Sequence, residues 1–231
     1  MSHEIVRAEN LRKQFFRKGR ESARNFDAVA GVSLELSAGE LVELVGRSGS
    51  GKSTLLNMIA GLAVPTEGSV ILEGQDLYAL NDAELSKVRN ATYGVVPQGQ
   101  TALYNLTVVQ NVKLPYLMYR PDDGIDDRAM ALLSTLGIAD LAEAYPAELS
   151  GGEMRRMAIA RALICNPKVV LADEPTGDLD DENTIVVLES LRSIADAGAA
   201  VLVVTHEQAA EQYADRILRM DAGSIVGQRR P

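Results

Sequence analysis

The chain has 231 residues, enough at roughly 100 to 200 residues per domain for one large domain or for a domain carrying an insertion. Apolar residues make up 46% and charged residues 24%, an ordinary globular balance that excludes a disordered, collagen-like or disulfide-stapled chain. The net charge of −9 gives no general attraction to nucleic acid or anionic lipid.

The longest apolar run, residues 199–204, falls far short of the roughly 20 residues of a membrane-crossing helix. The N-terminal MSHEIVRAEN lacks the basic start, apolar stretch and cleavage site of a secretory signal, so a cytoplasmic location is expected. The single cysteine, Cys165, can form no internal disulfide and, beside Leu163 and Ile164, is expected to be a small buried hydrophobe.

In chain order, Arg17, Lys18, Arg20 and Arg24 surround Gly19 and read as a solvated hairpin turn between two edge strands. Apolar runs at Leu41–Val45, Val70–Leu72, Val169–Ala172 and Val201–Thr205 read as buried strands of a mainly parallel sheet. Residues 90–165 show mostly helical spacing, as at Met130, Leu133 and Leu136 before Gly137. Residues 182–197 repeat apolar positions at Leu188, Leu191 and Ile194 and stop at Gly198, a C-terminal cap. The expectation is one α/β unit over 1–231, with residues 1–90 and 166–231 forming the core and a helical subdomain inserted at about 91–165.

Three segments carry chemistry. Gly46, Arg47, Ser48, Gly49, Ser50, Gly51, Lys52, Ser53 and Thr54 fit the phosphate-loop pattern G-x-x-x-x-G-K-[ST], with a strand before and a helix after. The glycines let backbone N–H groups and the helix N-terminus converge on anionic oxygens. Lys52 reaches the β- and γ-phosphates and the Ser53 hydroxyl ligates Mg²⁺.

Asp173 and Glu174 end an apolar strand, where ligands of open α/β sheets bind. Asp173 is the candidate to hold the metal through water, and Glu174 to orient and deprotonate an attacking water. Ser150, Gly151, Gly152 and Glu153 open a third segment, MRRMAIARAL following, in which Met154, Met157, Ala158 and Leu163 can face a core. Ser150 and Glu153 form the S-x-x-E capping pattern, and the helix start with its two glycines is also a second anion site.

Together these segments, in order and spacing, resemble the ATPase subunit of an ABC transporter over essentially the whole chain. The matching stretches are the phosphate loop, LSGGE at 149–153, ADEPTGDLD at 172–180 and Thr205–His206. The resemblance implies a P-loop NTPase core with an N-terminal antiparallel β part, ATP and Mg²⁺ as ligands, and two subunits sandwiching two MgATP. Ser150, Gly151 and Gly152 would then act on the nucleotide held by the other copy, Glu153 would belong to the nucleotide-binding set with them, and Asp180 would lie in the loop that communicates across the pair. Gln98 matches a metal- and water-contacting glutamine, His206 the histidine that contacts the γ-phosphate, and Phe15 the aromatic that stacks on adenine. Phe16 is an adjacent rival ring, and one of the two can serve the core.

Within the family, LSGGE, EPTGDLD and Asn105–Val108 with Asn111–Pro115 look most like the branch of macrolide exporters, lipoprotein-releasing ATPases, antimicrobial-peptide resistance pumps and the cell-division ATPase. That branch implies a permease with a large extracytoplasmic domain, an ATP-dependent homodimer on the inner face of the membrane, and no nucleic acid. LPYLMY at 114–119 is the candidate permease contact or, equally, ordinary core. The alternative is a soluble or regulatory ABC-type ATPase without transport. Glu153 stands where many members have glutamine, and Arg47 where proline is frequent. Glu43, a carboxylate in the strand feeding the phosphate loop, is costly if buried without a partner.

Overall fold

The computed structural model describes residues 3–18, 23–99, 101–120, 124–177 and 179–231. Strands β1 (Glu4–Lys18) and β2 (Ala23–Ser37) pair as a long antiparallel hairpin. The turn expected around Gly19 and Arg20 lies outside the described residues. β4 (Glu67–Leu72) and β5 (Gln75–Asp76) complete a four-stranded sheet in the order β2-β1-β4-β5. Of the two hairpin strands expected to be edges, β2 is one and β1 is not, because β1 pairs with β4 through Val6–Arg12 on its other side.

The second sheet has six strands: β3 (Leu41–Val45), β6 (Tyr93–Val96), β7 (Val169–Asp173), β8 (Ala200–Val204), β9 (Arg216–Asp221) and β10 (Ser224–Arg229). Their order is β10-β9-β3-β8-β7-β6, all pairs parallel except the β9–β10 hairpin. β7 and β8 are buried at every position, the expected property of parallel strands covered on both faces.

Helix α1 (Lys52–Ile59) lies between the sheets, with Leu55, Leu56, Met58 and Ile59 packed against Val6 and Val29 on one side and Val42, Leu171 and Val204 on the other. At roughly 1.5–3 kcal/mol per buried aliphatic side chain, this layer is a principal source of stability. The opposite face of the parallel sheet is covered by α6 (Asp181–Asp196) through Val187, Leu191 and Ala195, and by the helical segment. Gly198, at φ 107°, ends α6 as expected.

The boundary of the helical segment needs correction. Helix α2 (Asp82–Thr92) leads directly into β6, which is the sheet's outermost strand on that side although residues 91–165 were expected to be helical. Four residues, YGVV, are too short a run to register as a strand, and Gly94 is there for closeness: a Cβ on it would lie 2.5 Å from the Ala162 carbonyl. The helical part proper follows: α3 (Val108–Leu117), α4 (Ile125–Thr135) and α5 (Gly151–Leu163). In α4 the buried stripe is Ile125, Ala129 and Leu133, with Leu136 just beyond it, while Met130 faces solvent.

Asn111, fully buried in α3, accepts from the Leu103 N–H and donates to the carbonyls of Leu103, Leu106 and Thr107, fixing the loop before the helix. Cys165 is half-buried, not enclosed.

Glu43 interrupts the apolar run of β3 with 0% exposure, between Val203 of β8 and Ile217 of β9, and neither carboxylate oxygen has a partner. Burial pushes its pKa up from 4.5 to about 7; the nearby Glu211 carboxylate adds to the rise and Arg229 opposes it. The folded chain therefore binds more protons than the unfolded chain between those two values, and stability falls as pH rises through the window, by about 3 kcal/mol at most. Glu43→Gln should flatten the pH dependence of denaturant melts between pH 5 and 7.5 and be the more stable form at pH 8; parallel profiles for the two proteins would refute this origin.

Candidate active site

β3 delivers the chain into the loop Gly46–Gly51, and α1 begins at Lys52. The loop is pressed from two sides. A Cβ on Gly46 would lie 2.3 Å from the Met220 carbonyl, and one on Gly51, which has φ 104°, would lie 2.1 Å from the Ala28 carbonyl. Only glycine fits at either place. The Gly223 N–H donates to the Ser50 carbonyl, tying the β9–β10 turn to the loop.

Lys52 is 8% exposed and its ammonium donates to the carbonyls of Gly46 (2.7 Å) and Arg47 (3.2 Å), which holds the charge over the loop. The first-turn N–H groups of α1 have no partners within the helix, so dipole, amides and ammonium converge on one spot.

The loop floors a cleft of about 1090 Å³ whose walls bring together Phe15, Gln98, Glu174 and His206, four of the residues expected in the site. Glu174 follows β7 with φ 49°, a left-handed conformation that costs a non-glycine residue roughly 1–3 kcal/mol. Its backbone N–H donates to the Val204 carbonyl at 2.7 Å, and its carboxylate Oε2 lies 3.0 Å from His206 Nδ1. Parallel pairing of β7 with β8 sets these two side chains next to each other at the carboxyl ends of adjacent strands. Asp173, one residue earlier, is buried and its Oδ1 has no partner, an acceptor left for a ligand.

Phe15 lines the cleft mouth; Phe16 does not, is 66% exposed and serves neither the site nor the core. The hairpin here is stapled by Arg12, whose guanidinium donates to both carboxylate oxygens of Asp27 (3.0 and 3.1 Å) and to Glu67 (3.1 Å). That contact holds the Asp27 carboxyl below the usual carboxylate range.

Ser150, Gly151, Gly152, Glu153 and Asp180 do not line this cleft. Ser150 caps α5 as a full capping box: its hydroxyl accepts from the Glu153 N–H, while its own N–H and hydroxyl donate to the Glu153 carboxylate at 2.7 and 2.8 Å. Those bonds hold the Glu153 carboxyl low. Asp180 caps α6 and is held low by Asn183, whose backbone and side-chain N–H groups both donate to it.

Asn183, which the sequence reading missed, also accepts from Arg156 of α5 at 3.1 Å, and its amide would lie 2.6 Å from a Cβ on Gly152. Arg155 and Arg161 were missed too. They donate from α5 to the carbonyls of Pro97 (3.2 Å) and Thr101 (2.8 Å), bracketing Gln98. The alternation of residues along the hairpin could have placed Phe26, which lines the cleft with Phe15, but nothing in the local sequence announces Asn183.

A sequence profile described as ABC transporter matches residues 29–177, well over half of the chain. The chain belongs to the ABC transporter family. It is 42% identical over 226 residues to the lipoprotein-releasing system ATP-binding protein LolD of Aquifex aeolicus, covering 97% of each chain. It is 41% identical over 204 residues to the macrolide export ATP-binding/permease protein MacB of Bdellovibrio bacteriovorus, covering 88% of this chain and 31% of that protein.

Among solved structures, it superposes on the dimeric structure of MJ0796, a bacterial ABC transporter cassette, with TM-score 0.90, 34% identity and 98% coverage of both chains. A post-hydrolysis dimer of the same cassette bound to ADP and Pi gives TM-score 0.87 at 34% identity. The fold is that of a P-loop ATPase cassette, and the protein is an ATP-binding and hydrolysing subunit of an ABC transporter.

Replacing Lys52 with Ala removes the ammonium held over the loop and should weaken ATP binding by more than about tenfold. Undiminished affinity in a calorimetric titration would contradict its placement.

Proposed function

We propose that the cassette works as a homodimer on the inner face of the membrane, hydrolysing MgATP to drive a permease with a large extracytoplasmic domain. The observation that carries the hydrolytic assignment is the Glu174–His206 contact at 3.0 Å within the cleft floored by Lys52. Water attacks the γ-phosphorus in line, forming the new P–O bond as the bond to the bridging oxygen breaks, and the ADP oxygen leaves. Glu174 accepts the proton of that water, and His206, held against Glu174, contacts the γ-phosphate oxygens. Lys52 and the loop amides bear the β- and γ-phosphate charge.

The residues present suit Mg²⁺: the Ser53 hydroxyl, the Gln98 side chain and the orphaned Asp173 oxygen, through water, are the hard oxygen donors it takes. Held by those groups, the ion would supply positive charge against the negative charge that develops on the phosphates. Adenine stacks on Phe15.

Ser150, Gly151, Gly152 and Glu153 meet the nucleotide of the other copy. Their position outside their own cleft supports this reading, as does the likeness to a dimeric cassette. Asp180, tied to Gly152 through Asn183, brings the two halves of that contact into register.

The described residues hold no helix long and apolar enough to cross a membrane. The proposed permease supplies that part. Its contact on this chain is a 290 Å³ groove beside α3, lined by Leu62, Pro115, Met118, Tyr119 and Cys165, with Met118 68% exposed. Similarity to the lipoprotein-releasing and macrolide-export proteins supports a partner of that branch.

Glu174→Gln keeps the hydrogen-bonding shape and removes the base. It should bind ATP, accumulate as a dimer on gel filtration and hydrolyse at least about a hundredfold more slowly; near-normal turnover would overturn the role of Glu174. Purified with ATP and Mg²⁺ from detergent-solubilised native membranes, the same variant should retain a permease with a large extracytoplasmic domain. Recovery from the soluble fraction with no membrane protein would overturn the transport assignment.

A further inference from the structure

Phe15 is not the only ring at the cleft mouth. Phe26 lies directly opposite it across the hairpin, and both line the cleft. Their ring centroids are 6.0 Å apart and their planes are inclined at 32°. Phe26 is 47% exposed, a large apolar area to leave uncovered in the free chain.

The hairpin does not leave its position to chance. Asp27, the next residue, is bound by both arms of the Arg12 guanidinium, and Ala28, the one after, abuts Gly51 of the phosphate loop. Phe26 is therefore set relative to the phosphate loop by the strand that touches the loop itself.

The spacing decides what the pair can do. An aromatic plane inserted between two rings needs about 3.5 Å on each side, so about 7 Å between the flanking planes. At 6.0 Å between centres, the two phenyl rings leave too little room to close on a base from opposite faces, so a base meets both only from one side. They make one platform two rings wide. A purine, with its two fused rings, extends past the edge of a single phenyl ring, whereas the single ring of a pyrimidine does not.

We infer that Phe26 joins Phe15 in an aromatic platform that stacks the full width of a purine base and so sets the preference of the cleft for purine over pyrimidine nucleotides. The inference rests on the base-stacking role given to Phe15 and adds a second ring to it. Lys13, whose ammonium lies 5.6 Å from the centre of the Phe15 ring, adds a positive charge at the Phe15 end of the platform. Phe16 points to the other side of the strand and takes no part.

The test compares binding of ADP and CDP to the purified full chain by calorimetry for the wild type and for Phe15→Ala, Phe16→Ala, Phe26→Ala and Phe26→Leu. Stacking energies predict that Phe26→Ala weakens ADP by about five- to tenfold and CDP by no more than about twofold. Phe26→Leu, which keeps the apolar bulk without the π-face, should recover only part of the loss. In steady-state ATPase assays the defect should fall on KM, and Phe16→Ala should behave as wild type.

An unchanged ADP-to-CDP ratio in Phe26→Ala, whether from no loss or from equal loss of both, overturns the inference. If Phe15→Ala alone shifts the ratio, stacking on Phe15 stands and the two-ring platform fails. If neither shifts it, both fail together.

Discussion

The phosphate loop is squeezed between two backbones, and the rest of the architecture is arranged around that squeeze. Gly51 faces the Ala28 carbonyl of β2 and Gly46 faces the Met220 carbonyl of β9, at separations that no side chain could occupy. The first contact comes from the antiparallel sheet and the second from the parallel sheet, so the loop is where the two sheets meet. Hydrogen bonds close the junction: Gly223 donates to Ser50, and Ala30 donates to Gly223. The hairpin that carries Phe15 and Phe26 is in this way indexed to the loop Gly46–Gly51 by backbone contact, the least compliant kind.

A second organising element is α5. Its N-terminal turn carries Ser150 and the two glycines, its middle reaches Pro97 and Thr101 through Arg155 and Arg161, and Arg156 reaches Asn183 beside Asp180. One helix therefore touches the segment around Gln98 at its own cleft and, at its other contacts, the Asn183–Asp180 cap of α6. Gly94 lets the same helix rest against β6 through direct backbone contact.

How much of this could be read in the sequence depended on whether a residue acts through local pattern or through distant contact. The phosphate loop, Asp173, Glu174 and His206 were legible because strand, turn and chemistry lie within a few consecutive residues, and parallel pairing brings them together. The capping pair Ser150 and Glu153 was legible for the same reason. β6 was not, since YGVV is short and its burial comes from α5, nearly seventy positions away along the chain. Asn183 and Phe26 gain their meaning only from contacts distant in sequence: one from a helix packed against it, the other from the register of a hairpin. Met130 shows the converse error, where an apolar residue fits a helical period and yet faces outward because Ala129 occupies the packed position.

The backbone of Glu174 sits at φ 49°, in a region where glycine or asparagine would rest without strain. Chemistry and comfort are therefore opposed at that single position. With Glu174 as the proposed base, a residue that relaxes this turn would leave a firmer cassette that no longer turns over.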